Sequence, residues 1–288
     1  MSYSHRRHVV WFGLVFLLSV PTALRAQDAA AEFKALPWQE GPVEVRLGNI
    51  ASLSVPEGFQ FVGRGGAGKF MELIENPSDG KELGVLLHSA EMWFVAFEFD
   101  EEGYVEDDDR SLDAELILSS IREGTEAANK VRRDRGWETM SIVGWQQPPF
   151  YDATSNNLTW AILGSAGAER VVNHSTRLLG RRGVMKANLV LSPEQVGDAV
   201  PVFNELLTGF AFNAGSRYSE FTRGDKVAQY GLAGLVTGGV GVALVKTGLL
   251  QKFWKLIALG FVALAAAAKR LIASLSSGQQ AEPRRPNV

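Results

Sequence analysis

No cysteine occurs among the 288 residues, which excludes disulfides, thiolate nucleophiles and Cys-ligated zinc or iron–sulfur centres. Histidine is nearly as scarce: beyond residue 26 only His88 and His174 remain, too few for a histidine-rich metal site. No Gly-x-Ser-x-Gly nucleophile elbow is present. The glycine-rich stretch Gly63–Gly68 lacks the Gly-Lys-Ser/Thr ending of a phosphate loop, because Lys69 is followed by Phe70, and it reads as a flexible loop. No internal repeat of solenoid length is visible. Long charge-free apolar runs are confined to the two ends of the chain.

Those ends predict a topology. His5-Arg6-Arg7-His8, the apolar run from Val9 to Val20 and the small residue Ala26 have the three-part pattern of a secretory signal, expected to occupy 1–26. A polar, Ala-rich lead-in covers 27–37. Near the other end, 227–245 carries no charge and as a helix is about 28 Å long, close to the hydrocarbon thickness. Gly234, Gly238 and Gly241 supply small residues for close helix packing. The tail 246–288 holds seven basic residues against the single acid Glu282, an excess that marks the cytoplasmic side of a span. A second apolar stretch, 256–268, either completes a helical hairpin or lies on the inner surface. The expected location is the bacterial inner membrane, with the main domain facing the periplasm.

Between Gln27 and Lys226 stand 19 basic and 31 acidic residues, a net charge of −12. That excess opposes nucleic acid and favours cationic ligands. The densest acidic stretch supplies Asp100, Glu102, Asp107, Asp108, Asp109 and Asp113 as candidate calcium ligands, since several oxygens must converge on such an ion. Its spacing fails the EF-hand loop, with Leu112 where glycine makes the turn. The competing reading is a solvated loop whose last acids favour the start of the following helix. No other cofactor is implied. His174, Ser175 and Asp152 are the one combination resembling an acyl-transfer triad, but adjacent strand residues point to opposite faces. Asp152 with the acidic loop could in principle serve as paired carboxylates for glycoside hydrolysis. Trp93, Trp137, Trp145, Tyr151 and Trp160 are either a ligand groove or core.

The domain is expected over 38–217. Alternating segments at 43–47, 51–55, 59–62, 83–88 and 93–99 read as strands, with Trp93, Val95, Phe97 and Phe99 on one face. Helical spacing follows at 112–135, capped by Ser111 and stopped by Gly136. Strand patterns return at 141–145, 158–163, 169–178 and 184–191. Ser192-Pro193-Glu194 then opens a helix to about Leu207. The fold class is α+β, an antiparallel β sandwich with two inserted helices plus a C-terminal transmembrane helix, one or a hairpin of two. Residues 218–226 read as a linker to the membrane.

Leu53-Ser54-Val55-Pro56-Glu57-Gly58-Phe59, Gly103-Tyr104-Val105-Glu106-Asp107-Asp108-Asp109, Ala128-Asn129 with Arg132 and Gly136, Gly144-Trp145 before Pro148 and Tyr151-Asp152, Asn173 before Leu179-Gly180-Arg181, and the entry from Asp225 to Gly231 resemble a family of bacterial membrane-anchored proteins, domain of unknown function 2167. The resemblance implies an envelope anchor and supplies no reaction. Val55-Pro56-Glu57-Gly58-Phe59 and the final Gly209-Phe210-Ala211-Phe212 are similar to the α+β sandwiches of the PsbP and Mog type, a likeness of fold. The expectation is a non-catalytic, membrane-anchored envelope protein with an acidic interaction domain. Its expected partners are membrane lipid and an envelope or membrane protein, or a second copy through the Gly-rich helix. The alternative is a metal-assisted or acid–base hydrolase of an envelope polymer.

Overall fold

The computed structural model describes residues 31–237, apart from 75, 77, 79 and 92. The expected signal 1–26, Gly238 and Gly241, and everything beyond 237 lie outside the described residues.

Period-two alternation of apolar and polar residues dictates the strands. An antiparallel sheet of eight strands runs in the order β1 (Gln39–Glu40), β4 (Phe59–Gly63), β5 (Glu82–His88), β6 (Phe94–Asp100), β10 (Val184–Leu191), β9 (Glu169–Leu179), β8 (Asn157–Ala166), β7 (Met140–Asp152). A smaller antiparallel sheet orders β11 (Phe210–Phe212), β3 (Ala51–Val55) and β2 (Val43–Leu47). The expected hairpin at 83–99 is present, with Leu86 opposite Val95. Pro148 and Pro149 fall in β7, the last strand of the large sheet, where a missing backbone donor leaves no ladder bond unmade.

One face of the large sheet is mostly apolar, with His174 and Thr176 the buried polar residues on it. Phe97, Met185, Leu189 and Val172 point into a shared core with Leu47, Leu53 and Val55 of the small sheet. Helix α3 (Val196–Thr208) covers the remainder with Ala199, Phe203 and Leu206. Ser192 and Gln195 close a capping box on the 3-10 turn that leads into this helix. The architecture is mixed α+β, with a large antiparallel sheet and few helices.

The opposite face is covered in two patches. Helix α1 (Arg64–Leu73) lays Ala67, Phe70 and Met71 on Val62, Val85 and Ala96. This is where Gly63–Gly68 differs from the expected loop: Gly63 ends β4 and Arg64–Gly68 is helical, against its propensity. A side chain at Gly66 would collide with Val62, so glycine is what lets the helix lie close on the strand. Helix α2 (Ala114–Asp134) covers the other end, with Ile117 and Leu118 packed near Leu158, Trp160 and Ile162. Its cap is Asp113, accepting from the Leu116 amide at 3.0 Å, rather than Ser111. Both ends of α2 are tied to β7. Trp145 Nε1 donates to the Ala114 carbonyl, and Asn129 exchanges two hydrogen bonds with the Met140 backbone at 2.7 and 2.8 Å.

The stretch 218–226, expected to be a linker, is folded onto the domain. Arg181 holds Asp225 through two bonds of 2.7 and 3.0 Å. The Tyr104 amide donates to Lys226, and Ala228 donates back to Tyr104. Gly103, at φ 106°, is required there because a Cβ would stand 2.7 Å from the Lys226 carbonyl. The chain then forms a short helix α4 (Leu232–Thr237), with Leu232, Leu235 and Val236 buried in the cluster beneath α2. The start of the run expected to lie wholly in lipid therefore belongs to the folded domain. Gly234 is buried and crowded from within its own chain, since a Cβ would lie 2.6 Å from that of Tyr230. No helix among the described residues is long and apolar enough to cross a membrane.

Candidate functional site beneath helix α2

Between the two apolar patches, a row of charged residues crosses the large sheet. The strand registers set Glu82 opposite Glu98, Glu98 opposite Lys186 and Lys186 opposite Arg177. A bulge between Glu82 and Gly84 brings Glu82 into this row. Like charges facing each other across strands are unfavourable, and the arrangement survives because each acid has a partner. Glu82 accepts from Ser78 Oγ at 2.9 Å, while Lys186 Nζ bridges Glu98 at 3.4 Å and Asp100. Lys81 adds a longer contact to Asp100 at 3.7 Å.

Arg177 differs from the rest of the row. It is 9% exposed and its guanidinium lies 4.5 Å over the Trp160 ring, a favourable stacking of cation on π face. Nη1 donates to Asn188 Oδ1 at 2.9 Å, and at 3.5 Å to the Thr176 carbonyl. Among the described residues Nε is buried without an acceptor and the side chain makes no ion pair. Burial pushes its pKa down to about 10, with Glu98 and Asp100 opposing the shift from a distance. It is a desolvated cation whose charge is only partly answered.

Arg177 lines a half-open cavity of about 480 Å³ bounded by the sheet, α2, α4 and the start of the acidic loop. Lys81, Lys186, Asp100 and Glu102 bring charges of both signs, and Ser120, Thr125, Thr237 and Tyr230 bring hydroxyls. Burial, then Glu102 and Asp100, push the Tyr230 hydroxyl up to about 12. Gly124 of α2 contributes open space, with nothing within 4 Å of where its Cβ would be. A smaller cavity of about 250 Å³, reaching Asn173 and Arg132, shares Ile121, Thr125 and Ala128 with it. The two form a groove along the underside of α2.

The six carboxylates proposed as calcium ligands are drawn into separate tasks. Asp100 pairs with Lys186, Asp113 caps α2, and Glu102 lines the cavity. Asp109 accepts from the Ser111 amide, while Asp108 lies exposed in the loop. Asp107 accepts from Tyr151, Arg110 and Tyr218 at 2.9, 3.0 and 3.2 Å. Burial pushes the Asp107 carboxyl up, but these hydrogen bonds outweigh it and leave the pKa below the ordinary carboxylate value. Tyr218 shares its one hydroxyl proton between Asp107 and the nearer Val105 carbonyl, at 2.8 Å, and stacks on Tyr104. The acidic loop is thus fastened to the segment leading to α4. Among the described residues no group of three or more His, Cys, Asp or Glu is placed to hold a metal ion.

His174 and Ser175 point to opposite faces. His174 meets Phe203 of α3 in the apolar core, and burial lowers its pKa to about 4. Ser175 donates to Asn188 beside Arg177. Asp152 accepts from Thr154 and Ser155 in its own turn. The structure does not bring the three together. Of the aromatics, Trp93 is core, and Trp160 carries the one role at the cavity, beneath Arg177. Sequence reasoning missed Glu98, Lys186 and Arg177 as a set. The available signal was that Glu98 and Asp100 alternate with Phe97 and Phe99.

A family model described as "Protein of unknown function (DUF2167)" matches residues 39–269. No curated protein matches the chain. Among solved structures four chains match. One is the solution structure of cyanobacterial PsbP (CyanoP) from Synechocystis sp. PCC 6803, 12% identical, covering 61% of this chain and 92% of that chain with a TM-score of 0.39.

Proposed function

The chain belongs to the DUF2167 family, and we propose that this member is an exported, non-catalytic envelope protein whose domain binds a small ligand beneath α2. In this reading the C-terminal apolar segments hold it at the bacterial inner membrane, with the domain facing the periplasm. The observation that carries the binding role is Arg177, a buried guanidinium with no ion pair among the described residues, at the wall of a cavity of about 480 Å³. A cation kept in that state costs stability, which is understandable where an incoming group completes its pairing. The residues an acyl-transfer reaction would need are engaged elsewhere, on opposite faces or in turns.

The anchor rests on the sequence: the basic-apolar-small start, the charge-free run 227–245 and the basic tail. Docking of α4 refines it. Residues 238–245 supply roughly 12 Å as helix, well short of the ~30 Å hydrocarbon core. A span that leaves α4 docked must therefore draw on chain beyond Lys246, including the second apolar stretch 256–268. Because α4 also walls the cavity, a bound ligand bears directly on the root of the anchor. Membrane lipid and a protein in or near the membrane are the proposed partners.

The absence of cysteine makes the placement easy to test. With Ala153→Cys in an exposed turn, a membrane-impermeant maleimide is expected to label cells whose outer membrane alone is permeabilised, and the chain is expected to stay in the membrane pellet after carbonate washing. Labelling only after full lysis, or release to the supernatant, contradicts the proposal.

A further inference from the structure

The polar and apolar walls of the groove beneath α2 narrow the ligand, and this step rests on the binding role proposed for that cavity. Among the described residues Arg177 Nη1 is spent on Asn188 and the Thr176 carbonyl, and Nε is sealed. Nη2 makes no hydrogen bond there and, unlike Nε, is not sealed. One donor of a buried cation thus stays open to the cavity that Arg177 lines. The lysines of the wall are already answered, Lys186 by Glu98 and Asp100, and Lys81 by Asp100. A single guanidinium charge is left to attract a ligand, and Asp100 and Glu102 on the same wall oppose a second negative charge. The head group that fits is a monoanion, and a carboxylate is a strong acceptor for a guanidinium donor.

Away from Arg177 the groove changes character. Side chains alternate along a strand, so Arg177 and Asn173 of β9 share the face turned to α2. Their positions along the strand are roughly 13 Å apart, and Asn173 pairs with Ile162 of β8. There the smaller cavity is walled by Met140, Ile142 and Ile162. Most of its polar groups are spent within the protein: Asn129 on the Met140 backbone, Arg132 on the Glu138 carbonyl and Thr125 on the Ile121 carbonyl. Ile121, Thr125 and Ala128 wall both cavities, so a chain that starts at Arg177 can pass beneath α2 within the groove. Its apolar part gains by leaving water. The larger cavity alone, about 480 Å³, is within the roughly 300–1,000 Å³ of small-molecule pockets, and the smaller, about 250 Å³, lengthens it.

We infer that the groove beneath α2 takes a monocarboxylate with an apolar chain of medium length, a fatty acid, with its carboxylate on Arg177 and its tail toward Ile142 and Ile162.

The test is thermal denaturation of the full chain in non-ionic detergent micelles, read as the difference between the parent and Arg177→Met so that partition of the probe into micelles cancels. Octanoate is expected to raise the parent's Tm by about 5–10 °C at a concentration a hundredfold above its Kd, and Arg177→Met to weaken that binding at least tenfold. Acetate and inorganic phosphate, which lack the tail, and octanol, which lacks the charge, are expected to produce no difference between the two proteins. Thr125→Phe, which fills the wall common to both cavities, is expected to abolish the octanoate shift, while its cooperative melt without ligand shows that it folds. If that variant does not melt cooperatively, the comparison with Arg177→Met decides alone. A difference from acetate, phosphate or octanol equal to that from octanoate overturns the fatty-acid assignment and keeps the binding role of Arg177. An octanoate shift of the same size in Arg177→Met, or no shift from any probe, overturns both.

Discussion

One face of the eight-stranded sheet, carried by Phe97, Met185, Leu189 and Val172, is sealed by the small sheet and α3; the other carries Glu82, Glu98, Lys186 and Arg177 in one row between two apolar patches. Both faces come from the same strands, so backbone hydrogen bonding is common to them. The sealed face has the composition that burial favours. The charged row does not, and its cost points to a task other than holding the fold together.

The largest effect should come from breaking the sealed face. Phe97 is fully buried, and Phe97→Ala is expected to lower unfolding free energy by about 3–5 kcal/mol in urea titration, against no more than about 1 kcal/mol for Lys186→Met, whose pairs are partly solvated. A comparable loss from both would erase the contrast.

Acid probes the same face. His174 has a folded pKa lowered to about 4 by burial, against 6.5 unfolded. Below 6.5 the unfolded chain takes up a proton that the folded one refuses, so stability present above 6.5 is lost as pH falls toward 4. The expected loss is on the order of 3 kcal/mol. Denaturant midpoints at successive pH values for the parent and His174→Leu isolate it, because the leucine variant should lose that component.

On the covered side, Gly66→Val is expected to cost about 1–3 kcal/mol by forcing α1 off Val62, measurable as a lower Tm. The smallest structural effect belongs to the exit segment. Arg181 and Asp225 are joined by two hydrogen bonds, and the first of these, from Arg181, holds the Asp225 carboxyl well below the ordinary carboxylate range. Asp225→Asn is expected to speed hydrogen exchange over 218–228 without shifting the sheet amides. Unchanged exchange there would mean that the tyrosines around Asp107 hold the segment alone.

Strand positions were legible because period-two alternation is local, and the helix after Ser192 because its cap is written in four consecutive residues. The helical turn at Arg64–Gly68 was not, since propensity argues against it and the reason it forms is contact with Val62. Folding of 218–226 depends on Arg181, far away in sequence, which no local pattern announces. The acidic loop was visible as a count of carboxylates, but their separate partners, Tyr151, Lys186 and the Leu116 amide of α2, come from three different elements. Arg177 lies in a stretch legible only as a strand, because nothing in β9 tells which of its faces α2 covers.

The claim that Arg177 is kept for a ligand is most directly tested by the stability of Arg177→Met in the full chain. Methionine preserves much of the apolar volume over Trp160, and Asn188 Oδ1 still accepts from Ser175. Unfolding free energy from denaturant titration is expected to stay level or rise by about 1 kcal/mol. A fall of about 3 kcal/mol or more would make the guanidinium a structural element and contradict the account.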